Sequence, residues 1–367
     1  MVRPHLSDHL KAAQTAPING AYTITMTLTD KPIPPAAGWH VLGAGAMGCL
    51  WACAIHRHLQ QTSPPGAGVS LLLRNRQALR DYPGHVKSTD MTAPVALPAH
   101  AINDLTGHPH EPINNLLVTT KAQDTLHAIE CVATKLLPTS RIVLLQNGLK
   151  VQREVSLRFG AERVFCLSTS HGAWLRAPYD VVHAGAGDAW LGQLNAAADA
   201  SGQLQSLLDL LPARQFNVRK DNNIELRLWR KLAINCAVNA LTVIHDCRNG
   251  DLLTIPDARQ ALATLCDEIS TLLQGIPGAP ASDDLHAQVH AVLTVTADNL
   301  SSTLQDIRRG RPTEISHLNG YLCELADRHR LACPANKAVL QQMRVIESAA
   351  CGSTGSQTDP GPAQDTH

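Results

Sequence analysis

The chain has 367 residues, of which 44% are hydrophobic and 17% charged, and its 31 lysines and arginines balance 31 aspartates and glutamates. This length and composition are typical of a globular protein with a sizeable core and favour two domains. A formal net charge of zero gives no global electrostatic reason to expect nucleic acid or an anionic membrane as a partner. In addition, no apolar run is as long as a membrane span. We therefore expect neither nucleic acid nor a membrane as a partner.

The ten cysteines are dispersed through apolar stretches and form no Cys-x-x-Cys pair. In a chain of this length they are interpreted as reduced core residues of a cytoplasmic protein, not as a disulfide framework. Residues 1–37 are weakly patterned and are predicted to form a flexible extension without the apolar region of a signal peptide. The composition of residues 348–367 predicts a disordered tail.

Strand and helix patterns alternate from Trp39 onward. Strands are predicted at Trp39–Leu42 and at residues 69–74, 115–121, 141–148 and 163–170, with further β-like segments in YDVVHAGAGDAWLG. This alternation predicts an α/β domain with a Rossmann-type doubly wound parallel sheet over residues 38–220. Residues 221–347 have helical periodicity almost throughout, which predicts an all-α C-terminal domain that meets the first at a cleft.

A glycine-rich turn follows the first predicted strand and opens a helix that is expected to end near Gln60. The turn fits G-x-G-x-x-G and consists of Gly43, Ala44, Gly45, Ala46, Met47 and Gly48. In a dinucleotide site the three glycines permit the tight turn, the approach of a pyrophosphate and the packing of helix on strand, respectively. The helix N-terminus would bind the phosphates through its free N–H groups and dipole. A glycine-rich turn without a ligand is the alternative.

The end of the second predicted strand indicates which dinucleotide binds. An acidic residue there would favour the ribose hydroxyl of NAD, but the chain has Arg74-Asn75-Arg76. An arginine suits a phosphate, so we predict NADP(H), with an ordinary strand-end charge as the alternative. Lys121 and Asn147 follow later strands and are expected in the same crevice, unless they are solvated loop residues.

Lys231, Asn235 and Asn239 recur every four residues in the stretch LWRKLAINCAVN. Four residues make about one helical turn, so the three side chains share one helix face. A lysine and two amides on a mostly apolar helix suggest a polar pocket. The alternative is that the lysine extends to water and the amides cap or bridge helices in the core.

Other polar motifs are assigned no chemistry. The pattern His56-x-His58 and the pattern His108-x-His110-Glu111 lack a third ligand at a recognisable spacing, so no metal is predicted. Cys236 lies beside the pocket helix and is interpreted as a packing residue, not a nucleophile. His171 is expected near the cofactor crevice.

Six segments resemble the ketopantoate reductase (2-dehydropantoate 2-reductase) family, in chain order. They are HVLGAGAMG, LVTTKAQD, LLQNGL, STSHGA, ELRLWRKLAINCAVNALTVIHDCRNGDL and NLSSTLQDIRRGRPTEISHLNGYL. The resemblance covers about residues 39–347. It implies a Rossmann domain followed by a helical domain, and the NADPH-dependent reduction of 2-dehydropantoate to pantoate on the route to pantothenate and coenzyme A.

The resemblance also implies roles for individual residues. Lys231 matches the proton donor, and Glu314 matches a glutamate near the cofactor and this lysine. The residues that match substrate contacts are Asn147, Asn235, Asn239, Asn249 and Ser302, and those that match NADP contacts are Arg74, Lys121, Asn147 and Ala173.

Spacing adds two expectations to these matches. Asn299, three residues before Ser302, is expected on the same helix face and is added to the substrate-binding set. Glu314 is expected at the start of a helix, where an acid favoured by the helix dipole is the alternative explanation.

The chemistry of ketone reduction suits these residue types. A lysine ammonium can stabilise the negative charge that develops on the oxygen and can deliver the proton. Burial would lower the pKa of Lys231 and Glu314 would raise it, and the sequence does not decide which is larger. Amides and a hydroxyl suit a small, hydroxylated, anionic substrate.

Two departures from the family pattern keep alternatives open. Ala240 stands where the family has a proline, and HDCRNG replaces WNCPNG. Both leave the polar ligands in place but could alter the shape of the loop. The alternatives are a reductase of another small 2-oxo acid and a protein that senses NADP(H) without turnover. Monomer and homodimer are both compatible with the sequence.

Overall fold

The computed structural model describes residues 38–63, 67–105, 112–194, 202–281 and 284–352. The strands in these ranges are β1 (Trp39–Leu42), β2 (Val69–Leu73), β3 (His85–Ser88), β4 (Val95–Ala96), β5 (Ala99–Ala101), β6 (Ile113–Val118), β7 (Leu136–Leu144), β8 (Val164–Thr169), β9 (Gly172–Ala177), β10 (Asp180–Gly185), β11 (Ala189–Gly192) and β12 (Val218–Lys220). The helices are α1 (Ala46–Thr62), α2 (Arg76–Arg80), α3 (Ala122–Val132), α4 (Lys150–Phe159), α5 (Gln203–Asp209), α6 (Ile224–Ile244), α7 (Pro256–Gly275), α8 (Leu285–Val295), α9 (Ser302–Arg308), α10 (Asn319–His329) and α11 (Pro334–Gly352).

Eight strands form one large sheet in the order β12-β11-β8-β7-β6-β1-β2-β5. All neighbours are parallel except β11, which runs antiparallel to β8. The central strands are buried along most of their length, because apolar side chains cover both faces of the sheet. The predicted Rossmann-type parallel sheet is therefore confirmed.

A smaller sheet of four strands, in the order β4-β3-β10-β9, was not predicted. Its strands β9 and β10 form an antiparallel hairpin, and β10 pairs with β3 in parallel. The β-like segment YDVVHAGAGDAWLG is thus divided between two sheets, since β10 belongs to the small sheet and β11 to the large one. The short, half-exposed strands of the small sheet carry little apolar patterning, so periodicity is a weak signal for this sheet.

Helices follow the last strand without interruption by further sheet in the described residues from 221 to 352. Helix α6 lies at the centre of this helical part, and Trp229, Leu232 and Cys236 are among its buried residues. Helices α7, α8, α9 and α11 pack around it. The helical character predicted for the C-terminal half is confirmed, while its division at residue 221 into a separate domain stays a prediction.

Several element boundaries differ from those predicted. Strand β6 ends at Val118. Strand β7 begins already at Leu136, and the stretch that contains Pro138 falls at a register shift in its pairing with β6, where a proline is tolerated. Helix α11 continues through Gly352 into the segment predicted to be disordered, where Ala349 and Ala350 favour helix. The predicted extension at residues 1–37 and the rest of the tail lie outside the described residues. Among the described helices, none is long and apolar enough to cross a membrane.

Candidate active site

The glycine turn between β1 and α1 has the backbone that a dinucleotide site requires. Gly43 has a φ of 104°, which favours glycine, and a Cβ on Gly48 would lie 2.0 Å from the Gly43 carbonyl oxygen. A Cβ on Gly45 would meet nothing within 4 Å, so this residue faces open space. The turn is supported from β6, because the Thr119 hydroxyl donates to the Gly43 carbonyl at 2.7 Å.

The N-terminus of α1 fits an anionic group. The first main-chain hydrogen bond of the helix runs from Cys49 N–H to the Gly45 carbonyl, so the N–H groups of Ala46 and Met47 precede it. The first turn holds no acidic residue, and no side chain caps it. Uncapped N–H groups at the positive end of the helix dipole suit the pyrophosphate of a dinucleotide.

Arg74 lies at the end of β2, the strand next to β1, and its side chain is exposed. Within the described residues it forms neither an ion pair nor a hydrogen bond. The two residues that follow it have partners within the protein. The Arg76 guanidinium donates to Asp104 at 2.6 Å, and the Asn75 side chain caps α2 by accepting from Ala78 N–H at 2.9 Å. Arg74 is thus a cation at the strand end that has no partner among the described residues.

Glu314 connects the sheet to the helical part. Its carboxylate accepts hydrogen bonds from the Ala122 N–H, at the start of α3, at 2.9 Å and from the Asn147 side chain at 3.3 Å. Glu314 precedes a 3-10 turn at Ile315–His317, not the α-helix that was expected. Its carboxylate lies at the N-terminus of a different helix, so the helix-dipole explanation holds for α3 and not for its own segment.

Lys121 also spans the two parts of the molecule. It is the residue immediately before α3, and its ammonium forms an ion pair with Asp306 in α9. Asp306 was not predicted as a site residue, because an ion pair between positions far apart in the chain leaves no local pattern. Burial raises the pKa of Asp306, although the Lys121 ammonium opposes this shift.

Lys231 extends from α6 to the end of β8, where its ammonium donates to the Thr169 carbonyl at 2.8 Å. Burial lowers the pKa of Lys231 to about 8, and the negative charge of Glu314 opposes the shift. The effect of burial on the Lys231 pKa is therefore larger than the opposing effect of Glu314. Thr169 was not predicted, because a main-chain acceptor has no side-chain signature.

The other two members of the α6 stripe, Asn235 and Asn239, differ from Lys231 in their side-chain hydrogen bonds. Asn239 is buried and Asn235 is half-buried. Within the described residues neither side-chain amide forms a hydrogen bond. By contrast, the buried Asn319 side chain donates to the Cys236 carbonyl at 2.9 Å and to Asn336 at 2.8 Å. The stripe amides are thus available to a ligand, and the helix-bridging alternative is not supported by any contact in the described residues.

Asn249 lies between α6 and α7 and is held by the turn that precedes α9. Its N–H donates to the Asn299 carbonyl at 3.0 Å and its side chain donates to Thr296 at 2.9 Å. The side-chain oxygen of Asn249 is buried and has no partner among the described residues.

Asn299 and Ser302 do not share a helix face, because α9 begins only at Ser302 and Asn299 lies in the exposed turn before it. The helix begins there because the buried Ser301 hydroxyl caps it, accepting from Leu304 N–H at 3.0 Å. Ser301 also exchanges a hydrogen bond with the Thr242 hydroxyl at 2.6 Å. Ser302 itself is exposed.

Ala173 lies in β9 of the small sheet, opposite His183 of β10. No contact in the described residues joins Ala173 to the glycine turn, so its role as a cofactor contact stays a prediction. His171 is buried and donates from Nε2 to the Phe216 carbonyl at 3.1 Å, while its other nitrogen lies 3.0 Å from His183. Burial lowers the pKa of His171, which favours the neutral ring.

The histidine pairs singled out in the sequence form no metal site in the described residues, where no group of three or more potential ligands occurs. His56 hydrogen bonds to Gln60 at 2.8 Å and His58 to the Asp209 carbonyl at 2.9 Å. His108, His110 and Glu111 lie outside the described residues.

A chain of contacts joins the glycine turn, the start of α3, Asn147, Glu314 and Lys231. The glycine turn leads through Thr119 to the start of α3, where Glu314 lies close enough to affect the pKa of Lys231. Open backbone for a dinucleotide, a buried ammonium and two free amides therefore share one region. Such a region can bind a nucleotide and protonate an oxygen on a small polar ligand.

Comparison with known proteins identifies the family. The family described as ketopantoate reductase PanE/ApbA matches residues 39–196, and its C-terminal counterpart matches residues 223–347. The 2-dehydropantoate 2-reductase of Vibrio cholerae serotype O1 is 31% identical over 309 residues, which cover 84% of this chain and 97% of that protein.

Solved structures show the same fold. The PanE/ApbA family ketopantoate reductase from Ralstonia eutropha JMP134 has a TM-score of 0.72 at 22% identity, covering 85% of this chain and 99% of that one. D-mandelate dehydrogenase, solved with NADH and anilino(oxo)acetate, has a TM-score of 0.75 at 19% identity with the same coverage. The family matches span most of the chain, and the chain belongs to the ketopantoate reductase family of oxidoreductases that act on CH–OH groups.

Proposed function

We propose that the chain reduces 2-dehydropantoate to (R)-pantoate, with NADPH as cofactor and Lys231 as proton donor. The observation that carries the proposal is the position of the Lys231 ammonium. It lies on the Thr169 carbonyl, on the same helix face as two amides that have no partner among the described residues, with its pKa lowered to about 8 by burial. The names of the relatives support the substrate.

The glycine turn and Arg74 would hold the cofactor. The open space at Gly45 and the uncapped start of α1 fit a pyrophosphate. Arg74, which has no partner in the part of the chain that the structure describes, fits the additional phosphate that distinguishes NADPH from NADH. When bound, NADPH supplies the hydride that reduces the keto carbon. Lys121 and Asn147, which begin the connections after β6 and β7, are proposed as further cofactor contacts.

Lys231 would donate the proton that completes the reduction. A lysine with a pKa near 8 is mostly protonated at neutral pH, so its ammonium can stabilise the oxygen that gains negative charge. The same low pKa reduces the free energy needed to release the proton. Glu314 would keep the ammonium charged, and the Thr169 carbonyl would orient it.

The amides would orient the substrate. Asn235 and Asn239 offer both donors and acceptors, and Asn249 has a buried side-chain oxygen without a partner among the described residues. These groups can bind a carboxylate and hydroxyls without adding a buried charge. Asn299 and Ser302, exposed at the start of α9, are proposed to complete the substrate contacts.

The test is NADPH oxidation with 2-dehydropantoate as substrate, measured for the wild type and for Lys231→Ala. Lys87→Ala is the matched control, since Lys87 is an exposed lysine of the small sheet. We expect activity that Lys231→Ala reduces at least about 100-fold and that Lys87→Ala leaves unchanged. Tight NADPH binding without turnover of any 2-oxo acid would contradict the proposal and indicate a sensor of the cofactor.

A second pair of variants tests the choice of cofactor. Arg74→Ala removes the free guanidinium, whereas Arg76→Ala removes one that is bound to Asp104. A charged hydrogen bond to phosphate contributes about 1.5–3 kcal/mol, so we expect Arg74→Ala to lower kcat/KM for NADPH by roughly 10- to 100-fold and to spare NADH. An equal effect of both variants would refute the assignment.

The second candidate is a reductase of another small 2-oxo acid. It is favoured by the loop after α6, where Asp246 has a φ of 42° and forms an ion pair with Arg308 at 2.7 Å. The loop belongs to the segment that departs from the family pattern. A panel that compares 2-dehydropantoate with unbranched and aromatic 2-oxo acids distinguishes the candidates through kcat/KM.

A further inference from the structure

Two cysteines in the helical part, Cys323 and Cys333, have their sulfur atoms 3.6 Å apart. Both side chains are buried, and both cysteines are reduced in the structure. A disulfide requires a sulfur–sulfur distance of about 2.05 Å, so the sulfurs must approach by roughly 1.5 Å to bond. Small side-chain rotations change sulfur positions by this much without moving a helix.

The main chain holds these two residues in place. Cys323 lies in α10, and Cys333 directly precedes Pro334, the first residue of α11. The connection is short and tight. The Arg330 backbone has a left-handed conformation, with a φ of 57°, and the Leu331 N–H donates to the Ala326 carbonyl at 2.8 Å. The main-chain geometry of the connection therefore keeps the two thiols facing each other.

Cys333 lies outside the helices, in the connection between α10 and α11. Its carbonyl accepts from Lys337 N–H at 3.2 Å, which makes it the residue that caps α11. A capping residue does not have helical backbone angles, so its side chain can rotate with little effect on α11. Cys323, inside α10, is the more rigid partner.

The surroundings distinguish the two thiols. A hydrogen bond from Cys333 and, to a lesser extent, the Lys337 ammonium lower the pKa of Cys323, although burial opposes this shift. The same hydrogen bond and burial raise the pKa of Cys333. The lower pKa favours Cys323 as the thiol that ionises first.

We propose that Cys323 and Cys333 form an oxidisable dithiol that closes to a disulfide with hydrogen peroxide as oxidant. The Cys323 thiolate attacks one peroxide oxygen, the O–O bond breaks, and the leaving hydroxide takes up the proton that Cys323 released on ionisation, so the products are a sulfenic acid and one water. The Cys333 sulfur then attacks the Cys323 sulfur, the S–O bond breaks, and a second water leaves with the Cys333 proton. The two sulfurs lose two electrons, which reduce one peroxide to two waters.

The disulfide would connect two helices that support α6. Asn319, in the first turn of α10, donates to the Cys236 carbonyl of α6, and it also donates to Asn336 in the first turn of α11. A covalent link between Cys323 of α10 and Cys333, the residue before α11, would restrict the relative movement of these two helices. The inference concerns the helical part alone and does not depend on the proposed reaction.

The test treats the folded full-length chain with hydrogen peroxide, blocks free thiols and maps tryptic peptides by mass. The two cysteines fall in separate peptides, residues 310–328 and residues 331–337, each with one cysteine. We expect a linked pair lighter by two hydrogens than the sum of its peptides, and separated again by a dithiol reductant. Oxidation of other cysteines without this link would overturn the proposal.

Variants make the assignment specific. Cys333→Ser is expected to leave Cys323 as a sulfenic acid that dimedone traps, whereas Cys323→Ser is expected to leave Cys333 reduced. Cys266→Ser is the matched control, because Cys266 is a buried cysteine of α7, and it should form the link as the wild type does. A thermal unfolding midpoint raised by a few degrees on oxidation of the wild type, and not of Cys323→Ser, would support the link within the native fold.

Discussion

Replacing Lys231 by methionine is expected to stabilise the folded protein at neutral pH. Burial lowers the pKa of Lys231 from the ordinary 10.5 to about 8, so the fold binds this proton more weakly than the unfolded chain does. One pKa unit corresponds to about 1.4 kcal/mol, so the buried ammonium costs roughly 3 kcal/mol of folding free energy. Methionine keeps a similar length and removes the charge.

The net gain is smaller than this figure. The variant loses the hydrogen bond to the Thr169 carbonyl, which contributes about 1 kcal/mol, and the half-buried lysine keeps some contact with water. We therefore expect Lys231→Met to raise the free energy of unfolding by about 1–2 kcal/mol at pH 7. Lys87→Met, at an exposed position, should change it by less than about 0.5 kcal/mol.

The pH dependence gives the sign of the effect independently. Between pH 8 and the ordinary 10.5 the unfolded chain binds the Lys231 proton and the folded chain does not, so wild-type stability rises with pH in this window relative to the variant. Denaturant unfolding at pH 7 and near pH 10 should show the advantage of Lys231→Met shrinking at the higher pH. A variant that is less stable at pH 7, or an advantage independent of pH, would refute the reasoning.

The remaining predictions concern activity and the glycine turn. The kcat/KM for reduction should fall as pH rises through about 8, because Lys231 must be protonated, and Glu314→Gln should move this fall to lower pH by removing the charge that raises the lysine pKa. A fall at unchanged pH in Glu314→Gln would show that another group titrates. Gly48→Ala should destabilise the fold, because its Cβ would lie 2.0 Å from the Gly43 carbonyl oxygen. Gly45→Ala should leave the unfolding midpoint unchanged, since nothing in the protein lies within 4 Å of that Cβ. It should weaken NADPH binding in a fluorescence titration, because the Cβ would occupy the space proposed for the pyrophosphate.

The elements that the sequence predicted well depend on local pattern. The turn at Gly43 and the stripe at Lys231 follow from spacing along one strand or one helix, so periodicity is sufficient to find them. Asp306 and Thr169 could not be found in this way, because their roles arise from contacts between distant segments. Asn299 was placed wrongly on a helix, since Ser301 and not an earlier residue caps α9.

The side-chain hydrogen bonds divide the asparagines into two groups, which residue type alone cannot do. Asn115, Asn319 and Asn336 are fully buried, and each donates its side-chain N–H groups to a fixed acceptor. Asn239 is buried almost as deeply, yet neither it nor Asn235 has a side-chain partner among the described residues. A bound ligand on the helix face that carries Lys231 would supply partners for these two amides. The buried side-chain oxygen of Asn249, which also has no partner among the described residues, would gain one in the same way, and an unpaired buried acceptor of this kind costs about 1–3 kcal/mol.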